Sequence, residues 1–141
     1  MTPSQTRLLV AARVGHLATA DAQGAPHIIP VCFVADGQNL YSVLDQKPKR
    51  GPLTGLRRVR NILANPQAAL MVDHYEEAWD RLWYILVRGR AELLLEGQER
   101  VEAIGLLRQK YDQYQDMDIE ANPVIKLTAQ SIVTWGLDPS G

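Results

Sequence analysis

Two breaker clusters, Ala22-Gln23-Gly24-Ala25-Pro26 and Asp36-Gly37, interrupt the first third of the chain and leave only short runs between them. Gly and Pro punctuate the backbone, and Asp-Gly suits the tight reversal of a two-strand hairpin. The runs they bound, His16 to Asp21, His27 to Val34 and Leu40 to Leu44, contain the aliphatic and β-branched residues that fit a pleated sheet. Three such runs in succession predict an antiparallel meander. The strand–helix alternation of a parallel sheet is thereby excluded from this region.

The remaining pattern adds helices at the edges of that sheet. Thr2, Pro3 and Gln5 form an N-terminal capping signature, with Leu8, Leu9 and Ala12 behind it and Gly15 as the stop. A helix is predicted from Leu53 to Ala64 on the stripe Leu53, Leu56, Val59, Ile62 and Leu63, stopped by Asn65-Pro66. Ala68 to His74 and Leu82 to Leu95 read as strands, Gly97 to Tyr114 as a helix, and Val124 to Trp135 as a closing strand. Six short strands with flanking helices predict a mainly β (α+β) antiparallel barrel, occupying residues 1–141 as one domain.

The 141 residues suffice for one core and carry a formal net charge of −1, which by itself says nothing of nucleic acid. No apolar run approaches the roughly 20 residues of a membrane span, and the basic, amphipathic N-terminus lacks a signal-peptide pattern. Cys32 is the only cysteine, so no internal disulfide is available, and the expected compartment is the cytoplasm. The charge is unevenly distributed. Between Asp45 and Asp73 no acidic residue occurs, whereas Lys47, Lys49, Arg50, Arg57, Arg58 and Arg60 all fall there. Such gathering predicts one anion-binding patch.

No GxGxxG, Walker, CxxC, HExxH or GxSxG motif is present. His16, His27 and His74 stand in separate elements without metal-ligand spacing, so no metal is expected and each histidine is read as structural or exposed. Pro30 removes a ladder donor from its strand, which predicts an edge or bulge whose free backbone positions are available to a flat ring. Arg57, Arg58 and Asn61 fall on adjoining parts of one helix face, away from the apolar stripe, and arginine forks suit phosphate. A solvated basic face is the competing reading, weakened by the neighbouring Lys47-Pro48-Lys49-Arg50. Trp83 and Tyr84 are read as core or interface, and Trp79, inside an acidic loop, as a ligand-side wall.

Taken in order, His16-Leu17-Ala18-Thr19, Gly24-Ala25-Pro26-His27 leading into Pro30-Val31-Cys32-Phe33, Leu40-Tyr41-Ser42, Arg57-Arg58-Val59-Arg60-Asn61-Ile62, Asn65-Pro66-Gln67-Ala68-Ala69-Leu70 and Trp83 to Ala91 resemble the pyridoxamine 5'-phosphate oxidase-like, FMN-binding split-barrel family. The resemblance covers nearly the whole chain. It implies a six-stranded split-barrel homodimer with two cofactor sites at the subunit interface. It also implies that His27, Pro30, Val31 and Cys32 lie along a flavin ring, that Ser42 is near the cofactor, and that Arg57 and Arg58 match the phosphate-binding basic pair, with Asn61 following them. The chain departs from true pyridoxamine phosphate oxidases in its longer Lys47–Gly55 connection and in lacking their extended C-terminal region, so vitamin B6 chemistry is not expected. Its loop with Lys47, Lys49 and Arg50 is similar to the branch that uses the deazaflavin coenzyme F-420, whose phosphodiester and polyglutamate tail give extra cations something to bind.

The expected cofactor is therefore FMN or F-420, and the expected activity is hydride transfer to or from a small organic substrate. The hydride chemistry belongs to the cofactor, and no side chain is nominated as a proton donor. A non-catalytic carrier or sensor of flavin, deazaflavin or haem is the alternative. A nucleic-acid-binding barrel ranks below both, because no stacking aromatics accompany the cations.

Overall fold

The computed structural model describes residues 1–45 and 52–137. Thr2 caps α1 (Pro3–Ala11) as the sequence requires: its side chain accepts from the Gln5 backbone N–H, and the Gln5 side chain accepts from the Thr2 N–H. Seven strands follow, β1 (Gly15–Ala20), β2 (Pro26–Val31), β3 (Val34–Asp36), β4 (Asn39–Val43), β5 (Gln67–His74), β6 (Trp83–Leu94) and β7 (Val124–Trp135). Helices α2 (Arg57–Ala64) and α3 (Gln98–Lys110) stand between β4 and β5 and between β6 and β7. All strand pairs are antiparallel, in the order β2-β1-β5-β6-β7-β4-β3. The curled sheet with flanking helices is the mainly β split barrel expected.

One expected strand is two. His27 to Val34 breaks after Val31 because Phe33 takes its backbone hydrogen bonds from α3 instead of a ladder. Its N–H donates to the Tyr111 hydroxyl at 3.1 Å, and its carbonyl accepts from Lys110 Nζ at 2.9 Å and from Tyr111 at 3.1 Å. A buried backbone group must be paired somewhere, and here a side chain from the far end of the chain supplies the partner. The break lets β2 and β3 occupy opposite edges of one sheet. β2 is an edge strand, as Pro30 demands.

Two clusters fill the interior. One lines the concave face of the sheet with Leu9, Leu17, Phe33, Leu44, Val59, Val87 and their neighbours. The other seats α3 through Ala103, Ile104, Leu107 and Tyr111 against Val34, Tyr41 and Val43. Val101 on α3 is exposed, and the helix, expected to reach Tyr114, ends at Lys110, after which a 3-10 turn follows. β6 and β7 share the longest ladder, broken by a bulge at Arg88/Gly89. A Cβ on Gly89 would lie 1.9 Å from the Thr128 carbonyl oxygen, so only glycine permits that close crossing. No helix among the described residues is long and apolar enough to cross a membrane.

Candidate functional site

The predicted basic helix differs from its expectation in a way that defines the site. Leu53–Gly55 is a separate 3-10 turn, Leu56 is extended, and α2 begins only at Arg57. Two turns of helix packed on β1 and β6 bury Arg58, Val59, Asn61 and Ile62, while Leu63 is exposed. Arg58 and Asn61 therefore do not point away from the interior as the stripe predicted. They are its polar members. Asn61 Nδ2 donates to Thr19 Oγ1 at 3.0 Å and fastens α2 to β1. Arg57 remains exposed.

Arg58 is 7% exposed and closes one side of a cavity of about 180 Å³. The other walls are Val14, Pro30, Val31 and Cys32 from the end of β2, and Ser42, Val43 and Asp45 from the end of β4. Burial lowers the pKa of the Arg58 guanidinium, and the charge of Asp45 opposes that shift. Asp45 accepts a 2.5 Å hydrogen bond from the Tyr114 hydroxyl. The phenol is held protonated, first by burial and then by this bond to Asp45, so it acts as a donor. The cavity thus presents a buried cation, a carboxylate oriented by a tyrosine, one hydroxyl, one half-buried thiol and the edge of β2.

Of the residues expected at a cofactor, Pro30, Val31, Cys32, Ser42 and Arg58 come together here. Others do not line this cavity. His27 sits at the other end of β2 beside Thr19, with a buried Nδ1 that has no partner among the described residues. Asn61 is turned to Thr19. Arg57 and Trp79 are exposed, and Trp79 lies in a 3-10 turn before β6. Trp79 cannot be the wall of this cavity because the loop that carries it leaves the sheet at the β5–β6 connection. Lys47, Lys49 and Arg50 lie outside the described residues. Asp45, Val14 and Tyr114 were missed by sequence reasoning. Asp45 was visible only as the last acid before the basic stretch, and Tyr114 reaches it from a distant turn. No group of three or more His, Cys, Asp or Glu among the described residues is arranged to hold a metal.

The fold and the cavity at the end of edge strand β2 define the class as an antiparallel split barrel with a polar cavity beside its edge strand. Within it, the chain belongs to the pyridoxamine 5'-phosphate oxidase family, whose model matches residues 1–136. The fold is shared with a conserved hypothetical protein of Mycobacterium tuberculosis at 16% identity and a TM-score of 0.75, covering 96% of this chain and 84% of that one. It is shared with HutZ, the haem storage protein of Vibrio cholerae, at 18% identity and a TM-score of 0.70, covering 93% and 92%. A FAD-binding protein of Mesorhizobium loti matches at 21% identity and a TM-score of 0.69, covering 95% and 94%. No curated protein matches the sequence significantly.

Proposed function

We propose that this protein is a cytoplasmic oxidoreductase that binds a flavin-type cofactor, FMN or the deazaflavin F-420, between two copies of the chain and serves hydride transfer with a small organic substrate. The observation that carries the reading is the buried Arg58 beside the free edge of β2, in a cavity that also contains Ser42. An arginine fork recognises phosphate, and charge-assisted hydrogen bonds contribute roughly 1.5–3 kcal/mol each. About 180 Å³ accommodates one end of such a cofactor and falls below the roughly 300–1,000 Å³ of a complete cofactor site. The remainder would come from a second copy, and Lys47, Lys49 and Arg50 would supply further cations for a polyanionic tail.

When bound, the cofactor supplies the hydride chemistry at its ring. Arg58 and Ser42 would hold the phosphate end, and the backbone from Pro30 to Cys32 would set the plane of the ring. The Tyr114 hydroxyl fixes the Asp45 carboxylate, which shares the cavity lining with Arg58. Val31 and Val43 form the cavity's buried apolar wall. The single half-buried thiol fits a reducing compartment.

Titration of the purified protein with FMN and with F-420, followed by absorbance and fluorescence, tests the assignment. Saturable binding of one of them, weakened at least tenfold by Arg58→Ala, is the expected result. Binding of neither, with a Soret band on adding haemin, would replace this reading with that of a haem carrier.

A further inference from the structure

The cavity beside β2 carries a charge pattern that phosphate recognition by Arg58 does not by itself explain. Among the described residues of its lining, Arg58 is the one cation and Asp45 the one carboxylate. A wall built only to attract anions gains nothing from a carboxylate, because like charges repel and the repulsion grows as solvent is removed. Ser42 adds a buried hydroxyl to the same lining, and Val31 and Val43 are its buried apolar members. The charges of Arg58 and Asp45 therefore cancel within one small volume.

Asp45 is fixed in that wall from two directions. The backbone of the preceding residue, the fully buried Leu44, is pinned: its N–H donates to the Pro123 carbonyl at 3.0 Å, and its carbonyl accepts from Asn122 Nδ2 at 2.6 Å. The side chain is held by Tyr114, whose hydroxyl donates to Asp45 Oδ2 at 2.5 Å. Tyr114 is itself buried in the cluster that seats α3. Burial, and then the bond to Asp45, keep its phenol protonated, so the donor persists. A hydrogen bond from a hydroxyl to a carboxylate is of the short, strong kind. An ordinary surface carboxylate would swing into water on the arrival of an anion, whereas this one is anchored from the core.

We propose that Asp45 is a specificity-determining residue: with Arg58 it makes the cavity accept a singly charged phosphodiester and disfavour a doubly charged phosphate monoester. The inference rests on the proposed function and narrows it, since of the two cofactors named there FMN carries the monoester and F-420 the diester. A phosphate monoester bears about 1.5 to 2 negative charges at pH 7, because its second pKa is near 6. A diester has no second proton to lose and bears one. The first charge is offset by Arg58; a second finds no further cation in the described lining and faces the carboxylate. A group that reaches the guanidinium inside about 180 Å³ cannot avoid Asp45. Burial of Arg58 leaves these charges weakly screened from one another.

Equilibrium titration at pH 8, read by ring fluorescence, tests this with FMN, the methyl ester of its phosphate, deazaflavin 5'-phosphate and the methyl ester of that compound. Each pair shares one ring and differs by one phosphate charge. On whichever ring it accepts, the parent protein should bind the ester about tenfold more tightly than the monoester, or better. Asp45→Asn keeps an acceptor for the Tyr114 hydroxyl and removes the charge, so it should narrow that ratio to about twofold by strengthening monoester binding. Tyr114→Phe, which releases the carboxylate from its anchor, should narrow the ratio part of the way. A merely structural Asp45 would change both affinities together and leave their ratio alone. Equal binding of ester and monoester by the parent protein, or a ratio that Asp45→Asn leaves unmoved, overturns the assignment of Asp45 while the cofactor reading stands. Binding of none of the four compounds overturns that reading as well.

Discussion

Replacing Tyr111 by Phe removes one oxygen at the hinge between β2 and β3. That oxygen accepts from the buried Phe33 N–H at 3.1 Å and lies within donating distance of the carbonyls of Arg13, at 2.9 Å, and Phe33, at 3.1 Å. One hydroxyl proton serves one carbonyl at a time. The Phe33 carbonyl keeps Lys110 Nζ at 2.9 Å, and Arg13, at the surface, recovers water. The Phe33 N–H recovers nothing, because that residue is 0% exposed. Stranding one buried backbone donor costs about 1–3 kcal/mol. Taking about 2 kcal/mol and an unfolding entropy of about 0.3 kcal/mol/K for a chain of this length, Tm should fall by about 7 °C. Phe33 adjoins Cys32 in the cavity wall, so cofactor affinity should also fall several-fold. Thermal unfolding followed by circular dichroism, with cofactor titration below the transition, reads both effects. A Tm within about 1 °C of the parent protein would refute the claim that the Tyr111 hydroxyl holds the hinge.

Lys110 gives a pH prediction. Burial, aided by Arg13 and opposed by Cys32, lowers its pKa from 10.5 to about 8. A cation whose folded pKa is depressed leaves the unfolded chain holding more protons between those values, so this group's contribution to stability rises from pH 8 upward and is lost as pH falls through about 8. Urea unfolding between pH 8 and 9.5, below the range where the buried tyrosines oppose the trend, should show that rise, and Lys110→Met should flatten it; equal slopes would reject the assignment. Asn61→Ala should lower the urea midpoint by the equivalent of about 2 kcal/mol with an unchanged m-value, since it strands the buried Thr19 hydroxyl. Gly89→Ala drives a methyl group into the Thr128 carbonyl and should cost about 3 kcal/mol in the same assay; parent-like stability would show that β7 is free to move.

The strands were legible because their signals are local. Asp36-Gly37 reverses the chain where the sequence demanded, with Asp36 opposite Asn39, and the alternation in β1 matches its buried and half-buried residues. The hinge at Phe33 was not legible, since its cause is Tyr111 and Lys110, brought from the end of a distant helix. The same limit hid Asp45 and Tyr114, which become a pair only when the sheet curls. Arginine and the edge-strand proline were expected from their chemistry and Ser42 and His27 from the family resemblance; Arg58, Pro30 and Ser42 share one cavity lining, whereas His27 and Trp79 stand elsewhere.

The different placement of Arg57 and Arg58 follows from the length of α2. A stripe of apolar residues predicts the buried face of a long helix, because many side chains then share one contact surface. With only eight residues packed on β1 and β6, orientation is decided by the few strongest contacts, Val59 and Ile62 in the core and Asn61 on Thr19. Arg58 lies between those positions and is carried into the cavity wall, while Arg57 stays in water. The proposed phosphate contact therefore falls to the buried arginine. Its charge has already lost hydration and has a carboxylate and a phenol as electrostatic neighbours. For the phosphate of the proposed function, burial weakens the solvent screening of this charge while the Asp45 carboxylate opposes a second anion; the exposed guanidinium would first have to shed its water.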